Sequence, residues 1–341
     1  MKLLTSLCLA LSVLLVGGMA FAQQSDVQQQ QERRLVQPGN NAPVWREVRK
    51  EAQEHTTTVR GRETGVLVQS AGQTWRQIRN GPVTFYGGWL VVLAVLIIAA
   101  FYFARGSIKL HERPTGRLIL RFGTAEQVVH WTSAISFCVL GLSGLTLLFG
   151  KYVLLPVIGY LLFGWLTALA KNLHNFVAPL FILSVVVMIV MWLRDNLPRA
   201  YDFQWFRKSW AFMMHGEHVP SGRFNAGEKV WFWLGVIGLS IAVSWSGVIL
   251  LFPNFDQTRA VMQEAWIWHA SAALIYIAIA LGHIYMGTIG VEGAYGNMRT
   301  GYTDETWAKE HHQIWLDETK SGRTAPGGAV PAGAPHMKEK S

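Results

Sequence analysis

The sequence predicts an all-α membrane protein: a four-helix transmembrane bundle preceded by one extra N-terminal transmembrane helix. Three observations carry this. Of 341 residues, 51% are hydrophobic and only 15% charged, against about 25% charged in soluble domains. The deficit falls in five apolar runs, each long enough to cross a bilayer core, which takes about 20 residues. The 30 Lys and Arg against 21 Asp and Glu give a formal charge of +9. They gather in the loops beside those runs, where they report topology and not nucleic-acid binding.

The elements follow in order. Residues 1–22 (MKLLTSLCLALSVLLVGGMAFA) hold one Lys, an apolar run and Ala20-Phe21-Ala22, the pattern of a cleaved secretory signal. Residues 23–82 open with QQSDVQQQQERR and are expected to form a largely flexible periplasmic segment. Within it, 65–79 (GVLVQSAGQTWRQIR) has the makings of a short helix. Residues 83–105 carry the extra transmembrane helix. Residues 106–320 form one membrane domain with helices at about 127–150, 163–193, 229–252 and 264–289. The Pro/Gly/Ala-rich tail 321–341, with His336, is expected to be disordered.

Orientation comes from the flanking charges. Arg105, Lys109, Arg113, Arg117 and Arg121 face one acid, Glu112, in the first loop. Arg194, Arg199, Arg207, Lys208 and Arg223 sit in another, whereas 151–162 and 253–263 hold one basic residue each. Positive charge stays inside, so 105–126, 194–228 and 290–341 are expected in the cytoplasm. The mature N-terminus is then periplasmic, in agreement with an exported leader, and the membrane is a bacterial inner membrane. Trp205, Trp210, Trp231 and Trp233 are expected as belt anchors at the inner boundary, and Trp245, Trp266 and Trp268 at the outer one.

The cysteines exclude chemistry. Cys8 lies in the leader and Cys138 in an apolar segment, so no intrachain disulfide survives leader removal. No thiolate set exists for a zinc site or an iron–sulfur cluster.

Four of the 11 histidines lie in or beside the last four membrane helices. His130 begins one (EQVVHWTSAISF) and His174 lies in the outer part of the next (AKNLHNFVAP). His269 and His283 share the last (AWIWHASAALIYIAIALGHIYMGTIG). The topology puts His130 and His283 at the cytoplasmic depth and His174 and His269 at the outer depth. Fourteen residues at about 100° each fall about 40° short of four turns. His269 and His283 therefore share one side of their helix, about 21 Å apart along its axis. An intramembrane histidine is costly and functional by default, as a proton relay, a packing residue or a ligand. Two imidazoles at one depth on different helices suit the axial positions of a haem iron. Two such layers predict two b-type haems. Gly144, fourteen residues after His130, and Gly247, near the outer end of its helix, let a flat macrocycle or another helix approach the backbone.

Other residues read more plainly. Asn225-Ala226-Gly227 is an N-cap and turn before a helix, although the Asn225 amide can also orient a quinone oxygen. Glu228 and Lys229 read as cap and interface chemistry. His215 and His218, in HGEH, form a weak metal pair with no further clustered ligand. His311 and His312, in KEHHQ, read as cytoplasmic surface residues.

From about residue 116 to 320 the chain resembles the diheme cytochrome b (gamma) subunit of membrane-bound respiratory formate dehydrogenase. The matching stretches are RFGTAEQVVHW, LSGLTLLF, KNLHNFVAP, RFNAGEKVWFW, SGVIL, IWHASAA, GHIYMGT and WAKEHHQIW. The resemblance implies that His130 and His283 ligate an inner haem iron, and His174 and His269 an outer one. It implies a cytoplasmic-side site for menaquinone or ubiquinone at Asn225 and Gly227, with His283 nearby. The implied partners are an iron–sulfur (beta) subunit and a catalytic (alpha) subunit with a molybdenum or tungsten pterin. The expected function is that of membrane anchor and electron-transfer subunit, from the iron–sulfur subunit through two haems to quinone. Formate itself would be oxidised by the partner. The same architecture could instead serve a nickel–iron hydrogenase or a thiosulfate-type reductase, and a haem-free anchor or transporter is the more distant alternative. Residues 23–115 precede the part shared with short members of the family.

Overall fold

The computed structural model describes residues 55–56, 67–68, 72–255 and 257–322. The signal peptide, most of 23–82 and the tail beyond 322 lie outside the described residues. The chain divides into two compact units, one of residues 1–81 with 252–265 and one of 82–251 with 266–341. In the first, β1 (His55–Thr56) pairs antiparallel with β2 (Leu67–Val68), and α1 spans Gly72–Ile78. The helix expected over 65–79 thus starts later, and Leu67–Val68 forms a strand instead.

The second unit is helical. The elements after α1 are α2 (Thr84–Arg105), β3 (Leu118–Leu120), α3 (Thr124–Val153), α4 (Leu155–Trp192), α5 (Ala200–His215), α6 (Ala226–Val230), α7 (Ser240–Leu251), α8 (Arg259–Tyr285, its first residues to 265 counted with the first unit), α9 (Ala294–Thr300), β4 (Tyr302–Asp304), α10 (Glu305–His311) and α11 (Gln313–Lys320). π-helical turns over Trp231–Leu239 join α6 to α7, and others over Met286–Gly290 extend α8. Five stretches are long and apolar enough to span a membrane: Gly72–Arg105, Thr124–Val153, Leu155–Trp192, Ala226–Leu251 and Arg259–Gly290. They overlap the five predicted, and each begins earlier than predicted. In α4 the backbone breaks at Gly159, with φ 73°, a conformation that suits glycine. The long membrane helix therefore begins after it.

Local chemistry sets the starts. The Gly123 amide donates to Glu126 Oε2 at 2.8 Å, which satisfies an orphan donor and puts negative charge on the positive end of α3. Small residues bring α3 and α4 together: Ser133 Oγ donates to Ser184 Oγ at 2.8 Å, as helices in a bilayer often do. Phe181, Val185, Met188, Phe232, Val236 and Tyr276 form the centre of the core. The extra helix α2 packs through glycine too. A Cβ at Gly88 would lie 3.2 Å from Phe149 Cε1 of α3. Its other face carries Tyr86, Ile97 and Phe103, 68%, 67% and 85% exposed, as a lipid-facing surface requires.

The segments expected on one side of the membrane come together at one end of this unit. Ile108 N donates to Gly290 O at 2.8 Å, and Ile314 N to Ser221 O at 3.1 Å. β3 pairs antiparallel with β4. Arg121 Nη2 donates to Arg223 O, and Arg223 Nη2 to Arg121 O, both at 2.7 Å. Arg223 also pairs with Glu126 and Asp195, each at 2.7 Å. Several of the basic residues that report topology are thus built into the fold.

Candidate functional site

The four intramembrane histidines form two pairs. The rings of His130 (α3) and His283 (α8) have centroids 6.5 Å apart, and those of His174 (α4) and His269 (α8) are 6.0 Å apart. The pairing by depth is the pairing that the spacing predicted. An imidazole nitrogen binds a transition metal at about 2.0–2.1 Å. With about 1.1 Å from nitrogen to ring centre, two axial imidazoles on one metal have centroids about 6.3 Å apart. Both pairs are within a few tenths of an ångström of that distance.

Hydrogen bonds fix the outer imidazoles. Ser143 Oγ donates to Leu140 O at 3.1 Å and lies 2.9 Å from His174 Nδ1. The serine proton is thereby spent, so the oxygen accepts from Nδ1–H. His269 Nδ1 lies 3.0 Å from Val243 O, which can only accept, and 3.3 Å from Ser246 Oγ. In both rings the proton sits on Nδ1 and the Nε2 lone pair is free, the arrangement that supports a metal-ligating histidine. Neither Ser143 nor Ser246 stands out in the sequence by residue type. The signal that could have found them is the Ser-Gly dipeptide repeated in LSGLTLL and SWSGVIL.

The glycines beside them are tight. A Cβ at Gly247 would lie 3.1 Å from His269 Cε1, and one at Gly144 would lie 3.4 Å from His174 Cε1. Gly247→Leu should therefore push the His269 ring aside. In the purified protein we expect loss of whatever metal centre His174 and His269 hold, read as metal per chain against wild type, with normal membrane insertion.

The inner pair is held differently. His283 stacks on Trp231, with centroids 4.6 Å apart and planes 10° from parallel. Trp231, expected as a belt anchor, thus packs on His283, at the residue where the π-helical turns begin. His130 Nδ1 is buried with no hydrogen-bond partner among the described residues. Between the layers lies an aromatic one. Phe137, Phe181 and Tyr276 stand seven residues after His130, His174 and His269. Phe137 lies 4.7 Å from Tyr276 and 6.2 Å from Phe181. Tyr276 OH shares a 2.9 Å hydrogen bond with Ser240 Oγ, so the hydroxyl in this layer is satisfied.

Asn225 is the N-cap of α6. Its Oδ1 accepts from Glu228 N at 2.9 Å, and its own N donates to Glu228 Oε2 at 2.8 Å. The turn read from the sequence is present. Among the described residues, Asn225 Nδ2 makes no hydrogen bond. Gly227 sits under Trp205, where a Cβ would be 3.0 Å from Cη2. Glu228 also pairs with Arg121 at 3.2 Å, and Lys229 pairs with Asp202 at 2.7 Å. Both serve the fold.

Two surface readings are corrected. His312 is 1% exposed, and its Nδ1 lies 2.7 Å from Gly222 O. Burial, then Arg121, hold its pKa well below the usual value. His311 packs on Trp307, with ring centroids 4.8 Å apart, and burial pushes its pKa down to about 4 against the pull of Glu310. The α10–α11 segment folds back on the bundle, which the sequence pattern does not reveal. His218 is also not alone: His111 and Glu310 lie beside it, whereas His215 stands apart from them.

Residues 121–300 match the family model of prokaryotic cytochrome b561, a stretch that contains all four histidines, both glycines, Asn225 and Gly227. The chain is 30% identical over 205 residues to the formate dehydrogenase cytochrome b556(fdo) subunit of Escherichia coli K12, covering 59% of this chain and 93% of that protein. It is 28% identical over 207 residues to the nitrate-inducible cytochrome b556(Fdn) subunit of the same organism, covering 59% and 92%. To the formate dehydrogenase cytochrome b556 subunit of Haemophilus influenzae it is 25% identical over 211 residues, covering 59% and 83%.

Proposed function

Because this chain belongs to the prokaryotic cytochrome b561 family, as a multi-pass membrane cytochrome b of the formate dehydrogenase type, we propose that it anchors such a complex and carries its electrons across the bacterial inner membrane. His130 and His283 hold an inner haem b, and His174 and His269 an outer one. The observation that carries this is the pair of imidazole pairs, at 6.5 and 6.0 Å, joined by one helix. Haem b held by these residues would supply one-electron transfer. The residues supply the rest. Ser143, Ser246 and the Val243 carbonyl hold Nδ1–H and aim the outer imidazoles. Trp231 holds the plane of His283. Phe137, Phe181 and Tyr276 keep water from the space between.

Direction follows from the charges. The basic loops place His130 and His283 at the cytoplasmic side, with the mature N-terminus in the periplasm after cleavage of 1–22. Electrons enter at the outer layer from an iron–sulfur subunit, fed by a pterin subunit that oxidises formate. They leave at the inner layer to menaquinone or ubiquinone. Asn225, whose Oδ1 is occupied as a cap, offers its Nδ2–H to a quinone oxygen, and Gly227 keeps the turn bare beside it. The names of the relatives favour formate dehydrogenase over a hydrogenase or thiosulfate-type partner.

The test uses the intact complex under anaerobic conditions. Formate should reduce both b haems, and added quinone should reoxidise them. Asn225→Ser keeps a good N-cap and removes the amide donor. It should leave haem content and reduction by formate unchanged and slow reoxidation about tenfold, the effect of about 1.4 kcal/mol. Failure of formate to reduce the haems rejects the partner assignment. Unchanged reoxidation in the variant reduces Asn225 to its cap.

A further inference from the structure

We propose that His111, His218 and Glu310 form a binding site for one divalent transition-metal ion, zinc being the best fit, at the polar end of the membrane domain. The three residues come from the segment after α2, the loop after α5 and α10. One ligand atom from each lies within 4.8 Å of the others. His111 Nδ1 is 3.6 Å and His218 Nε2 3.8 Å from the same oxygen, Glu310 Oε2. A tetrahedral ion with bonds of about 2.0–2.1 Å needs its ligands about 3.3–3.4 Å apart. An inward movement of the two imidazoles closes the set.

Two further observations point to a cation. The first is the tautomer of His218. Its Nδ1 lies 3.1 Å from the main-chain oxygen of Glu310, which can only accept, so Nδ1 carries a proton. Nε2 then turns a lone pair toward the carboxylate of the same glutamate. A ligating histidine is held this way, by a carbonyl on its other nitrogen. The second is the state of the carboxylate. Glu310 is 5% exposed and is fixed by the amides of His111 at 3.1 Å and Glu112 at 2.9 Å. Those bonds leave Oε2 with capacity to spare, aimed at both rings.

A lone pair that faces a carboxylate needs positive charge between them. A neutral His111 can turn an Nδ1–H to Glu310, but His218, whose Nδ1–H is committed to the carbonyl, would need a second proton, with the two rings in contact at centroids 4.5 Å apart. Arg105 is a further cation nearby: a Cβ at Gly216 would meet both His111 Cε1 at 3.5 Å and Arg105 Nη2 at 3.6 Å. One divalent ion between the three groups takes both imidazole lone pairs and the carboxylate directly, with no second proton on either ring. Imidazole and carboxylate suit zinc and its neighbours. The histidine side chains, 51% and 44% exposed, leave the remaining position to water. The ion would pin three segments whose residues are 92 to 199 positions apart. His111 and Glu310 both lie outside residues 121–300, the stretch that matches the family model.

The haem-loaded full chain in detergent is stripped with a chelator, titrated with Zn²⁺ against a chromophoric chelator, and analysed for retained zinc by mass spectrometry. Wild type should keep one zinc per chain beyond its iron, as should His215→Ala, the exposed histidine outside the cluster. His111→Ala and His218→Ala should each weaken binding by more than the roughly tenfold that loss of a supporting partner costs, and the double variant should keep none. Zinc should also raise the temperature of haem loss in wild type and not in the double variant. An unchanged haem spectrum reports that each variant is folded. If alanine unfolds the loop, His218→Gln keeps a donor for the Glu310 carbonyl. No zinc in wild type, or equal zinc in wild type and the double variant, overturns the site.

Discussion

Replacing His283 with alanine should halve the haem content of the protein. His130→Ala should give the same result, and the two together should do no more than either alone, because both act on one iron. His174→Ala and His269→Ala should behave as a second such set, and His269→Ala with His283→Ala should empty the protein. Substitutions within a pair are strongly non-additive, and those between pairs are independent. The reason is geometric. Each pair has the centroid spacing that two axial ligands on one metal require, and a haem with one axial ligand removed is held by packing alone. α8 lends one ligand to each layer, about 21 Å apart by helix rise. The count comes from the pyridine haemochrome of purified protein per chain. A single variant that keeps two haems would remove the ligand assignment, and with it the electron path.

The two layers were legible in the sequence for a physical reason. A bilayer forces long apolar runs, so the five spans stand out, and the cost of a buried imidazole makes His130, His174, His269 and His283 conspicuous within them. Spacing along one helix then gives depth and side without any knowledge of contacts. What depends on neighbours across the chain was not legible. Nothing in RFNAGEKVWFW says that α6 passes into π-helical turns at Trp231, or that the Trp231 ring stacks on His283. The α10 and α11 segment is polar enough to read as surface. It is buried because Trp315 and Leu316 pack inward and the Gly222 carbonyl captures His312. The same blindness hid the triad of His111, His218 and Glu310, whose members are far apart in sequence and meet only in the fold.

Lys229→Met should be among the most damaging single changes outside the histidines. Lys229 Nζ donates to Asp202 at 2.7 and 3.0 Å, and the side chains are only 6% and 9% exposed. Removing one partner of a buried pair strands the other charge, at about 3–5 kcal/mol. The stranded carboxylate also caps α5, since Asp202 Oδ2 accepts from Arg199 N at 2.6 Å. Adding Asp202→Asn should restore most of the loss, since asparagine keeps an acceptor for that amide without the charge. The measurement is the temperature at which detergent-solubilised protein loses haem. A double variant no more stable than Lys229→Met would mean that the pair matters through packing and not through charge. The inner haem should leave first. Lys229 stands four residues after the cap Asn225 and two before Trp231, so the ion pair anchors the turn that carries the ring stacked on His283. The outer layer is instead held by Ser143 on α3 and by Val243 and Ser246, further along the same membrane span. A polar contact beside the start of this span is thereby tied to one of the two histidine pairs and not to the other.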